Sequence, residues 1–262
     1  MKSALFTRRE LLRALPCGIT VLAVGCAGVP IPGVSDPAAL LKEGEALYQA
    51  QRYDEAIAKF RAVIALDRSN WRAWLWLCRT YIVRGMWGDA IESGRQAFQF
   101  SPQGPEVLQT FLQALFGGGA QALEAGNFTQ AISHFSEYLK LDTANVNAWT
   151  SVGKAYLGNG QYGDALQSLL KALGMPGVDR GDVVNSILSG GMQAFNQRDY
   201  ASSINMLSEY VKQDPRNFQA YFTMAKSYWE SGQRGGAVEA LVQALKINPT
   251  SSDAVQYMFK LR

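Results

Sequence analysis

The sequence predicts an all-α array of about six helix-turn-helix hairpins, grouped in three pairs and closed by a short C-terminal capping helix. Three observations carry that expectation. Small residues recur 34 positions apart, as Ala56 and Ala90, Ala131 and Ala165, and Ser203 and Ala237. A second small residue holds the eighth position of every hairpin: Gly44, Cys78, Gly119, Gly153, Gly191 and Ala225. A longer repeat lies over the short one, because Phe135-Ser136-Glu137-Tyr138-Leu139-Lys140 returns 72 residues later as Leu207-Ser208-Glu209-Tyr210-Val211-Lys212. Self-similarity at such a period marks stacked units, each too small to bury its apolar face alone.

Residues 1–25 read as an export signal that precedes the array. Lys2, Arg8, Arg9 and Arg13 make its start basic, and Ala14 to Gly25 is an apolar run too short to span a bilayer comfortably. Thr7-Arg8-Arg9-Glu10-Leu11-Leu12-Arg13 resembles the twin-arginine export motif. Leu22-Ala23-Val24-Gly25-Cys26 resembles the bacterial lipobox, in which the cysteine is lipidated and becomes the new N-terminus; Ala23 stands where leucine is commoner. Ala27 after that cysteine, with no aspartate, implies outer-membrane sorting by the enterobacterial rule. Residues 26–36, with Pro30, Pro32 and Gly33, form the lipidated N-terminus and a linker. About ten extended residues reach roughly 33 Å, which would hold the folded body near the membrane.

The solenoid then occupies 37–251, with hairpins at 37–70, 71–104, 112–145, 146–179, 184–217 and 218–251. Two helices cross closely only where neither carries bulk, so the recurrent small residues mark the crossings, and Trp74, Trp149, Phe60 and Phe135 fill the space around them. Gly85, Gly126, Gly160 and Gly232 fall where the chain turns between helices. Pro102, Pro215 and Pro249 fall where second helices end, because proline cannot continue them. Tyr81, Tyr156 and Tyr228 on first helices oppose Ala97, Ala172 and Ala244, and the third and fifth hairpins reverse the arrangement with Ala122 and Ala194 opposite Tyr138 and Tyr210. Volume is thus conserved while its source alternates, which makes the pair of hairpins the unit of construction. The extra residues at 105–111 and 180–183 lengthen the first helix of the next pair, with Pro105 suited to a helix start. Residues 252–262 form the capping helix.

These six in-phase copies resemble the tetratricopeptide repeat (TPR) family over nearly all of the chain after the signal. The resemblance implies a right-handed superhelical solenoid whose first helices line a concave groove, and it implies that the groove binds a protein or peptide. Carried onto this sequence, the groove positions include Tyr48, Leu75, Ile82, Phe116, Leu157, Phe195, Phe222 and Trp229, a long apolar and aromatic strip. Arg79, Lys154 and Lys226 share the ninth position of the second hairpin in each pair, and would space three cations along the groove.

Chemistry of other kinds has little to stand on. Charged residues make up 18% of the chain and hydrophobic ones 48%, which suits a folded rather than a disordered protein. Four cations and one acid precede residue 26; the rest balances at 21 basic and 21 acidic residues, so a general footprint for nucleic acid is missing. The cysteines, Cys17, Cys26 and Cys78, do not make a disulfide framework, and one histidine, His134, does not make a metal site. His134 reads as a solvated side chain on the outer face, and Cys78 as a buried, inert thiol. Gly117-Gly118-Gly119 and Gly190-Gly191 lack the lysine and hydroxyl of a phosphate loop and read as close helix packing. The sequence therefore predicts no enzyme, no cofactor and no metal. It predicts a membrane-anchored lipoprotein scaffold in the bacterial cell envelope, on the periplasmic face of the outer membrane, assisting assembly of a complex such as a pilus or secretin. A cytosolic TPR chaperone adaptor with an uncleaved N-terminus, and an enzyme or small-ligand receptor using the groove, are the competing readings.

Overall fold

The computed structural model describes residues 36–260. The export signal, Cys17, Cys26 and most of the linker lie outside the described residues. Thirteen helices follow in order among the described residues: α1 Pro37–Gln49, α2 Tyr53–Leu66, α3 Trp71–Val83, α4 Trp87–Phe100, α5 Pro105–Glu124, α6 Phe128–Leu141, α7 Val146–Gly158, α8 Tyr162–Leu173, α9 Arg180–Asn196, α10 Tyr200–Gln213, α11 Phe218–Glu230, α12 Arg234–Ile247 and α13 Ser252–Lys260. Each odd helix from α1 to α11 packs most closely on the even helix after it. The first helices α5 and α9 span 20 and 17 residues, against 13 for α1, α3, α7 and α11, because the two inserts are absorbed into their N-terminal ends, with Pro105 in the first turn of α5.

Four of the crossings mate a glycine with a large residue sixteen positions later. A Cβ on Gly44 would stand 2.5 Å from the Phe60 ring, one on Gly119 would stand 2.9 Å from Phe135, and one on Gly191 would stand 2.7 Å from Leu207. Phe60, Phe135 and Leu207 are fully buried, so the rings and branches have no room to yield. The second hairpin inverts the pairing. Cys78 supplies the bulk and Gly94 the gap, and Phe111 of α5 presses into that gap, 2.8 Å from where a Cβ would be.

The turns inside the hairpins use left-handed backbone. Gly85, Gly126, Gly160 and Gly232 have φ between 68° and 79°. At Gly85 the amide donates to the Ile82 carbonyl at 3.0 Å, and the next amide, of Met86, donates to the Tyr81 carbonyl at 2.9 Å, closing off α3. The first and fifth hairpins make the same turn without glycine, at Gln51 (φ 60°) and Arg198 (φ 64°).

Asparagines start several first helices: the side chains of Asn70, Asn145 and Asn217 accept from the amides of Ala73, Ala148 and Ala220. Asn145 also donates to the Tyr138 hydroxyl at 2.7 Å, and that hydroxyl donates to Asp142 at 3.3 Å. Asn217, Tyr210 and Asp214 repeat this joint at 2.8 and 3.0 Å.

First helices of neighbouring hairpins touch at all five junctions, whereas among second helices only α8 and α10 approach one another to a similar degree. The array therefore bends toward its first helices, which form the inner face, and the second helices form the outer one. Its apolar interior falls into two large clusters. One runs from Ala56 to Ala155 and the other from Leu157 to Ala254, and they meet along α7.

Candidate interaction surface

The residues expected along the inner face divide into three groups. Leu75, Leu157 and Phe222 are 3%, 7% and 8% exposed, and these three do not offer a free surface. Overlap of successive first helices is the reason. Leu75 packs with Val107 of α5, Leu157 fills the space left by Gly190 of α9, and Phe222 stacks on Phe218 with its edge met by Tyr257 of α13.

A second group is half-exposed and apolar. Tyr48 meets Tyr53 and Trp76 edge-on at 5.6 and 5.2 Å. Ile82 lies beside the N-terminal cluster. Phe116 sets its ring against Phe135 and Tyr138 at 5.6 and 5.9 Å and lines a cleft of about 450 Å³ with Leu112 and Trp87. Phe195 packs on Tyr200, and Trp229 carries the Arg234 guanidinium 4.7 Å above its ring. Tyr48, Phe116 and Phe195 are fixed by aromatic neighbours, and all five side chains remain partly exposed.

The cations form the third group, and they do not make a free positive rail. Arg79 donates to Glu106 at 3.1 Å and lies over the Trp76 ring. Lys154 donates to both carboxylate oxygens of Asp182 at 2.7 Å. Both acids stand in the first turn of the next long first helix, where the helix dipole favours them. Lys226 instead sits over two rings, 5.0 Å from the Phe195 centroid and 4.7 Å from that of Phe222. Burial lowers its pKa from the ordinary lysine value, and the charge of Asp253 in the first turn of α13 opposes that fall. Glu106, Asp182 and Asp253 are residues the sequence reading missed. Their signal was an acid 27 or 28 positions after each cation, a spacing that the 34-residue alignment hides.

Near the N-terminal end, Leu41, Glu45, Arg72, Trp76, Arg79 and Glu106 enclose a cavity of about 340 Å³, with cations and acids interleaved around an apolar floor. A surface of this composition suits a polypeptide segment that brings apolar anchors and few net charges.

Cys78 is buried, 3.9 Å from the Thr110 carbonyl, and burial pushes its thiol up to about 12. His134 departs from its expected place in solvent. It is half-buried beside Gly118, where the missing side chain makes room for the ring, and its Nδ1 has no hydrogen-bond partner among the described residues. Burial is the main cause that lowers its pKa; Glu137 opposes the shift and Arg95 adds to it. The glycine run is helix packing: Cβ atoms at Gly118 and Gly119 would collide with Ile91 and Phe135, and one at Gly117 would collide with Trp87.

Stacked helical hairpins with an accessible apolar strip define a repeat scaffold for protein–protein interaction. The chain belongs to the tetratricopeptide repeat family: one tetratricopeptide repeat profile matches residues 41–105 and 119–179, and a second of the same description matches 194–260. Among its relatives is the BBSome complex member BBS4 of Bos taurus, 22% identical over 199 residues, covering 76% of this chain and 36% of that protein. Another is the cytochrome c-type biogenesis protein CycH of Pseudomonas aeruginosa, 27% identical over 167 residues, with 63% of this chain and 39% of that protein covered. The chain thus spans well under half the length of these curated relatives. The fold is shared with a chain of the structure of Naa15/Naa10 bound to HypK-THB, with a TM-score of 0.53 at 15% identity over 86% of this chain and 34% of that one.

Proposed function

We propose that this TPR scaffold holds a segment of a partner protein along the inner face of its first helices, while a lipid on Cys26 tethers it to a bacterial envelope membrane. The carrying observation is the strip of half-exposed Tyr48, Ile82, Phe116, Phe195 and Trp229, in which the four aromatic rings are held by neighbours and so lose little freedom on binding. The neutralised Arg79 and Lys154 support a partner recognised by apolar anchors rather than by acidic charge. The tether rests on Cys26 at the end of the apolar run, and assembly of an envelope complex such as a secretin or pilus is the role that suits it. Likeness to a bacterial protein named for cytochrome c biogenesis accords with assembly work of that kind.

Photo-crosslinking in the native envelope tests the groove. A crosslinking side chain in place of Phe195 or Ile82 is expected to capture one partner, and the same group in place of outer-face Ser133 is expected to capture none. Equal capture from both positions overturns the reading. Intact mass of the native protein tests the tether: a diacylglycerol-modified chain starting at Cys26 is expected, and an unmodified start at Met1 removes the anchor.

A further inference from the structure

The outer face carries a cleft that one pair of hairpins closes with its own side chain and the next leaves open. In the first pair, Arg61 of α2 donates from Nη2 to the Tyr81 hydroxyl at 2.7 Å, and its guanidinium lies 5.9 Å from the centre of that ring. The equivalent tyrosine of the second pair is Tyr156, but Ser136 replaces the arginine. A cleft of about 710 Å³ opens there between α6, α7 and α8, walled by Leu139, Trp149, Val152 and Tyr156. The Trp149 ring is fixed, because its Nε1 donates to the Thr143 carbonyl at 3.0 Å.

Charge distinguishes this cleft from the rest of the array. Lys140 and Lys171 line it against a single acid, Asp164. Among the described residues neither lysine belongs to an ion pair, in contrast to Arg79 and Lys154 on the inner face. The third pair repeats the shape, with Tyr221, Met224 and Tyr228 around about 420 Å³, but its lining contains Glu239 and no lysine. Three equivalent places are therefore filled by arginine, open and basic, or open and acidic.

We propose that the open basic cleft docks an acidic segment of a partner protein. That segment lays an aromatic or aliphatic side chain against Trp149 and Tyr156 and sets carboxylates against Lys140 and Lys171. The apolar wall supplies affinity and the two lysines supply the choice of sign. This site is separate from the inner face and does not depend on what binds there.

A random-peptide phage library selected on the full chain tests the proposal. The winners are expected to include acidic peptides with an aromatic or aliphatic anchor, and the affinity of these is expected to fall by about tenfold or more in Ser136→Arg, which closes the cleft as Arg61 does in the first pair. Lys140→Glu with Lys171→Glu is expected to give a similar loss, and Ser133→Ala, exposed on α6 outside the cleft lining, no loss. Circular dichroism melts check that each variant folds; should Ser136→Arg not fold, the lysine double variant decides. A selection that returns no acidic peptides, or acidic-peptide binding that survives closure of the cleft or reversal of its charge, overturns the proposal. Equal competition by a single-stranded oligonucleotide or by phosphatidylglycerol vesicles overturns it too, and marks the lysines as a general anion patch.

Discussion

Lys154 Nζ lies 2.7 Å from both carboxylate oxygens of Asp182, which joins the second pair of hairpins to the third across a helix junction. Arg79 and Glu106 make the same link between the first pair and the second. Both partners of the Lys154–Asp182 bridge are more than a third exposed, at 37% and 43%, so water and salt screen the attraction. A double-mutant cycle with Lys154→Ala and Asp182→Ala is expected to give a coupling of about 0.2–1 kcal/mol in urea unfolding, falling toward zero in high salt. A coupling well above that range would mean that the junction depends on this contact.

Crossing geometry makes a stronger demand. Gly119→Ala places a methyl group 2.9 Å from a fully buried Phe135 ring. Alanine favours helix by roughly 1 kcal/mol over glycine, yet overpacking costs about 1–3 kcal/mol, and the clash is expected to win. A lowered urea midpoint with an unchanged slope is the expected result.

Turn geometry gives a change in the other direction. Gln51 and Arg198 hold left-handed backbone that costs a side-chain-bearing residue roughly 1–2 kcal/mol. Gln51→Gly and Arg198→Gly are each expected to stabilise the chain by about 0.5–1 kcal/mol, since glycine's greater freedom when unfolded offsets part of the relief. Thermal melts of the two variants and of their combination measure it.

His134 should give the protein an acid-sensitive component. Its pKa is lowered in the folded chain, so at mildly acidic pH the unfolded chain binds the proton more readily. Its contribution is complete above the ordinary value of 6.5 and is lost as pH falls from there toward the depressed folded value. His134→Gln is expected to flatten the dependence of the urea midpoint on pH across that window, leaving any change at lower pH to the carboxylates.

What could be read in the sequence was whatever repeats in phase. The small residue at each crossing, the four glycine turns and the inserts that lengthen α5 and α9 all announce themselves by position. Gln51 and Arg198 did not, because neighbouring contacts impose their backbone against the preference of the residue type. Leu75, Leu157 and Phe222 occupy groove positions in the repeat alignment, but alignment carries no information on how far successive first helices overlap. The partners of Arg79 and Lys154 were hidden for a related reason: each acid belongs to the following pair, in register with an insert rather than with the repeat. His134 was placed in solvent because the gap beside it is made by Gly118, on another helix.

Gly117, Gly118 and Gly119 receive Trp87 and Ile91 from the hairpin before and Phe135 from their own. Arrays of this kind ordinarily insulate one unit from damage in the next, because each leans only on its immediate neighbours. Here three adjacent positions carry both kinds of contact at once, the packing inside one hairpin and the packing on the hairpin before it. A single bulky substitution in this turn of α5 would loosen the second and third hairpins together, so damage at one point would reach two units.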